Sequence, residues 1–224
     1  MWKLTAGGAG LFGALVATAA LAQTWPDAFV HRLREQALLE SLNGELVSHD
    51  SATVVLQRWC DDRRLAPGER IVARRVLGPD PTPDPAVLTA LAAAPGEPIR
   101  HRRVELACGG HVLSVADNWY RPRRLTAAMN RRLETTQTPF GVAVAALHFR
   151  RRTLAVVWLS RLLPPDWRSQ GGAPPAGDLP PEPAPSALLL QHRAVLADEA
   201  GTPFSVVVEN YTAEILTETP ETQR

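Results

Sequence analysis

The sequence predicts a single α+β domain, an antiparallel sheet of about six strands with helices packed around it. Three observations lead there. From residue 53 onward, β-branched and aromatic runs recur at short intervals, turn residues join several of them as hairpins, and helical periodicity is confined to the early and middle chain. The 224 residues, 45% of them hydrophobic and 21% charged, are enough to bury one core without staples.

Pro26-Asp27 opens the first helix, in which Phe29, Leu33, Ala37 and Leu38 recur at i, i+4, i+8 and i+9 and which is expected to stop near Asn43-Gly44. Residues 53–59 and 71–77 are β-branched and aromatic and flank Pro67-Gly68, predicting a pair of antiparallel strands. A loop over 78–85 carries four prolines and leads into an alanine-rich helix over 86–94. Residues 99–108 and 112–120 flank Gly109-Gly110, a dipeptide suited to the positive φ of a tight hairpin. Helices are expected over 123–133 and, shorter and more apolar, over 140–147. Residues 153–159, 188–196 and 204–215 are the remaining strand candidates, the last two joined by Asp198-Glu199-Ala200-Gly201. Between them, residues 164–185 hold eight prolines and three glycines and are read as a flexible loop. A polar tail covers 217–224.

The chain begins with a short basic start, Met1-Trp2-Lys3, then an uncharged run from Leu4 to Leu21 and an Ala20-Leu21-Ala22 cleavage pattern. Residues 1–22 are therefore read as a secretory signal, which predicts a periplasmic or secreted domain over 23–216; the alternative is an uncleaved membrane anchor. Lys3 is the one lysine, so cleavage removes lysine-dependent Schiff-base and general-base chemistry altogether. With 24 basic against 23 acidic side chains there is no global field to draw nucleic acid or acidic lipid, and neither is expected as a partner, nor a membrane once the signal is cleaved. Cys60 and Cys108 are the only cysteines and are free to pair in an oxidising compartment if the fold brings them together.

Three motifs carry chemistry: Arg102-Arg103-Val104-Glu105-Leu106 running to Gly110, Thr138-Pro139-Phe140-Gly141, and Val206-Val207-Val208-Glu209. Along a strand, Arg102 shares a face with Val104 and Leu106, where an arginine is costly unless it meets an anion. It meets Glu209 or a ligand carboxylate, or is solvated at the sheet edge. Glu209 closes an apolar run, where burial raises a carboxyl toward neutrality and fits it for proton transfer. Gly141 lets backbone approach a ligand closely.

These three motifs resemble the chorismate lyase family, which places an arginine on a strand as R-x-V-x-L, a T-P-L-G segment over the ligand, and a glutamate closing a late apolar strand. The resemblance spans about residues 36–216. It implies that Arg102 binds a ligand carboxylate, with Phe140 and Gly141 over the ligand, and that Glu209 assists proton movement as pyruvate is eliminated from chorismate to give 4-hydroxybenzoate. No cofactor or metal is implied. Two departures stand out: a family arginine falls near Asp117 or Asn118 here, and the family's W-x-R-R-S segment reads Gln191-His192-Arg193-Ala194. The implied function is a carbon–oxygen lyase acting on, or an exported non-catalytic protein binding, a small aromatic or cyclic carboxylate. The six histidines show no H-x-x-x-H or H-x-H spacing, and there is no G-x-S-x-G, phosphate-binding glycine loop or dinucleotide fingerprint. Metal, hydrolase and nucleotide-dependent chemistry have no support in these patterns.

Overall fold

The computed structural model describes residues 25–218. The expected signal at 1–22 and the end of the polar tail lie outside them. Five α-helices accompany six strands in one antiparallel sheet, ordered β1-β2-β3-β6-β5-β4. The strands are β1 (Val72–Arg75), β2 (Arg100–Cys108), β3 (His111–Tyr120), β4 (Arg150–Trp158), β5 (Leu188–Ala197) and β6 (Pro203–Thr212). Among the described residues, no helix is long and apolar enough to cross a membrane.

Helix α1 (Asp27–Ser48) runs past the expected stop at Asn43-Gly44. A glycine inside a helix costs about 1 kcal/mol. Burial of Leu46 beyond it, worth about 1.5–3 kcal/mol, outweighs that. The buried face also differs from the expected one: Phe29, Arg32, Glu35, Leu39, Leu42 and Leu46 face inward, while Ala37 is exposed.

The strand expected over 53–59 is a helix, α2 (Ala52–Asp62). The Ser51 side chain caps it, accepting from the Val54 N–H, and Ala52, Val55, Leu56, Trp59 and Cys60 are buried at i, i+3, i+4, i+7 and i+8. That stripe gives a helix a complete core face, which overrides the β preference of Thr53, Val54 and Val55. Only the second of the expected pair survives, as the four-residue β1 paired with β2.

The Gly109-Gly110 hairpin forms as expected, with Gly109 at φ 55°. Helices α1 and α2 cover one face of the sheet through a core that includes Leu39, Leu56, Val104 and Tyr211. Helices α4 (Ala127–Thr135) and α5 (Phe140–Ala143) close the end of that face over Tyr120, Leu196, Phe204 and Val207. Helix α3 (Pro85–Leu91) packs on the opposite face against Val195 and Val206. The proline-rich segment joins β4 to β5 with a single 3₁₀ turn, Ala176–Asp178, and takes its contacts from α1: Trp167 meets Phe29, Arg168 meets Glu40 at 2.9 Å, and the Pro180 carbonyl accepts from Arg32 at 3.3 Å. Cys60 at the end of α2 and Cys108 at the end of β2 are joined as a disulfide, with Cα atoms 6.3 Å apart.

Candidate functional site

Strand register decides which side chains meet beneath α2 and α5. Arg102, Asn118, Val207 and Ala194 follow one another across β2, β3, β6 and β5, and the adjacent row on the same face holds Val104, Ala116, Glu209 and His192. Above these rows lies a small cavity of about 30 Å³. Its apolar lining includes Phe140, Phe149, Leu196 and Val207; Asn118, Arg151, Glu209 and the N-terminal turn of α2 from Ser51 to Thr53 supply its polar lining. A volume of that size holds about two water molecules.

Glu209 is buried in this wall, and the alternative partner weighed for it, Arg102, is not the one it meets. Its Oε2 accepts from Arg151 Nη2 at 2.6 Å and from the Tyr211 hydroxyl at 3.0 Å. The salt bridge weighed for Glu209 forms, with Arg151 in place of Arg102 as its partner. Both side chains are more than nine-tenths removed from water. Burial opposes the charge on Arg151, yet the Glu209 carboxylate holds its pKa above the ordinary value; burial raises the Tyr211 hydroxyl well above its own. Arg151 Nε has no hydrogen-bond partner among the described residues.

Arg102 is 2% exposed but does not line the cavity. Its Nη2 donates to the carbonyls of Thr138 at 3.0 Å and Thr136 at 3.5 Å, so it holds the segment that delivers Phe140 and Gly141 to the cavity. Its Nε and Nη1 are unpartnered, and no described carboxylate lies within ion-pair distance. Burial, aided by nearby Arg75, lowers its pKa to about 10, which leaves it a cation at neutral pH. One uncompensated positive charge therefore sits directly across the β2–β3 hairpin from Asn118.

Asn118 and Asp117 go opposite ways, as neighbours on a strand must. Asp117 lies on the far face, where its carboxylate meets His101 Nε2 at 2.8 Å. Asn118 faces the cavity, 4% exposed, and its amide hydrogen-bonds to no described residue. His192 is fully buried beside Glu209; its Nε2 donates to Asn43 Oδ1 at 2.8 Å while Nδ1 is unpartnered, and burial drives its pKa down to about 4.

The cover is made by two segments in contact. A Cβ on Gly141 would lie 3.0 Å from Ser51 Oγ, so glycine here lets α5 close against the start of α2. Asp50 fixes that start to the sheet edge, accepting from the Arg151 backbone N–H at 2.8 Å and from Arg150 Nη1 at 3.0 Å.

Of the residues expected from the sequence, Glu209, Phe140 and Gly141 meet at one cavity, and Arg102 stands just behind it. Sequence reasoning missed Arg151, Ser51 and Tyr211. The Arg150-Arg151-Arg152 run conceals which arginine turns inward, and only the exact register of β4, broken by a bulge between Thr153 and Ala155, resolves it. Elsewhere, His31, Glu35 and Glu182 bring potential metal-ligand atoms within 4.8 Å of one another, a group that no spacing motif had marked, although Glu35 is already engaged by Arg32 at 2.9 Å.

No family model matches the chain. It is 46% identical over 195 residues, 87% of this chain and 81% of the relative, to the uncharacterized protein y4mC of Sinorhizobium fredii. The chain belongs to the same family as y4mC. Among solved structures, PhnF from Mycobacterium smegmatis aligns with a TM-score of 0.49 at 14% identity over 77% of this chain and 68% of that one. The effector domain of that PhnF aligns at 0.48 and 15% identity over 78% and 96%. A GntR-family transcriptional regulator from Enterococcus faecalis aligns at 0.41 and 14% identity over 67% and 99%.

Proposed function

We propose that this protein binds a small ring-bearing carboxylate in the cavity beneath α2 and α5. The observation that carries this reading is the unbalanced Arg102 cation: a buried guanidinium with two unpartnered donors and no protein carboxylate, directly across the hairpin from a cavity-lining residue. Buried donors in native proteins are nearly always satisfied, so charge and hydrogen-bonding capacity here await an anion. The N–H groups of Ala52 and Thr53 in the first turn of α2 add positive potential at the cavity wall. Phe140, Phe149, Leu196 and Val207 supply the apolar contact that a ring requires. Admission of a ring to so small a cavity is expected to part Phe140-Gly141 from Ser51.

Elimination of pyruvate from chorismate is the second reading, favoured by the position of Glu209 in the cavity wall. Its use as a proton donor would break the ion pair with Arg151, leaving a buried charge unmatched. Binding is therefore placed ahead of turnover. Titration of the domain with 4-hydroxybenzoate and benzoate by calorimetry, alongside incubation with chorismate, tests both. Saturable binding weakened at least tenfold in Arg102→Gln supports the site, and 4-hydroxybenzoate release abolished in Glu209→Gln adds catalysis; absence of binding and turnover sinks both readings.

Export completes the proposal, since Ala20-Leu21-Ala22 and a disulfide between the only two cysteines fit an oxidising compartment. N-terminal sequencing of protein from the native host should begin at Gln23; an intact Met1 start would refute cleavage.

A further inference from the structure

Among the buried groups lining the cavity, Asn118 is the one with a neutral polar side chain that no described residue engages. Glu209 and Arg151 are paired with each other, Asp50 holds Arg150, and the Ser51 hydroxyl caps α2. Asn118 is buried, and its amide finds no described partner. The side chains beside it in the sheet, Arg102 and Val207, do not supply one: the guanidinium donates instead to the Thr136 and Thr138 carbonyls, and valine has nothing to offer. Its polar atoms are not among the sealed, unpartnered ones of the described residues, so the amide stays open to the cavity and is placed to pair with whatever enters.

We infer that Asn118 determines specificity, pairing with a neutral hydroxyl or carbonyl group on the ring of the bound acid. This rests on the carboxylate-binding reading above and adds to it the second polar group of the ligand. An amide offers both a donor and an acceptor, which suits a neutral group, whereas the carboxylate is drawn to the positive potential of Arg102 and the α2 terminus. A site that hydrogen-bonds a ligand hydroxyl discriminates strongly against the analogue without it, because the buried amide is then left unpaired.

The test is isothermal titration of the domain with benzoate, 3-hydroxybenzoate and 4-hydroxybenzoate, for the native protein and for Asn118→Leu. The native protein should bind one hydroxybenzoate at least tenfold more tightly than benzoate, and Asn118→Leu should bring that ratio within about twofold. A ratio that survives in Asn118→Leu, or a native protein that prefers neither hydroxybenzoate, overturns the role of Asn118 and leaves the carboxylate site standing. If the native protein binds none of the three acids, both fall. Should Asn118→Leu fold poorly, Asn118→Ala carries the same comparison.

Discussion

The Arg151 guanidinium reaches across β5 from the sheet edge to the Glu209 carboxylate on β6, 2.6 Å away, with both side chains shielded from water. Neither charge has another strong counter-charge. Glu209→Ala should therefore destabilise the fold by about 3–5 kcal/mol, because the guanidinium stays behind unpaired. The double variant Glu209→Leu with Arg151→Met should recover most of that loss. Urea denaturation of the single and double variants measures both, and a double variant no more stable than the single one would show that the pair is not coupled.

His192 gives stability a pH dependence of known sign. Its folded pKa of about 4 lies below the ordinary value of 6.5, so between these values the unfolded chain binds more protons than the native one. Stability contributed by this residue is complete above pH 6.5, falls as pH drops toward 4, and is lost below it. Two and a half pH units of separation correspond to about 3 kcal/mol at most. Unfolding curves from pH 4 to 7 should show this slope, reduced in His192→Gln; an unchanged slope in that variant would assign the effect to other groups.

Much of the sheet was legible because β2, β3, β5 and β6 are apolar or β-branched runs bounded by recognisable turns. The segment that became α2 was not, since Thr53, Val54 and Val55 bias it toward a strand while the deciding information, Ser51 as cap and a stripe from Ala52 to Cys60, is spread over a longer window. Glu209 and Gly141 could be marked from local pattern because each closes a recognisable run. Arg151 could not, because its inward direction depends on a β-bulge, and a one-residue change in register turns every side chain beyond it to the other face.

The Cys60–Cys108 disulfide ties α2 to the end of β2 across 48 residues. Loop-closure entropy for such a separation corresponds to about 4 kcal/mol, and measured losses on removing native disulfides run to roughly 2–5 kcal/mol. Reduction, or Cys60→Ser with Cys108→Ser, should lower the denaturation midpoint accordingly. Equal midpoints with and without reductant would mean that packing alone holds the two elements together.

Gly109 and Gly110 separate two roles that sequence alone merges. A Cβ on Gly109 would lie 2.6 Å from Ala66 Cβ at a backbone φ of 55°, whereas one on Gly110 meets nothing within 4 Å. Gly109→Ala should cost more than about 1 kcal/mol, and Gly110→Ala should be close to neutral. Thermal melts of the two variants decide it; similar losses would place the hairpin constraint at both positions.

The cover formed where α5 meets the start of α2 can be locked. A Cβ on Gly141 would stand 3.9 Å from Ser51 Cβ, within the separation that a disulfide spans. Ser51→Cys combined with Gly141→Cys should therefore oxidise to a cross-link between α2 and α5. The oxidised variant should lose binding of the hydroxybenzoate that the native protein prefers, and reduction should restore it, with native protein reduced in parallel to account for its own disulfide. Undiminished binding in the cross-linked form would mean that the acid does not pass between these two segments, and the site would have to be sought outside the cavity.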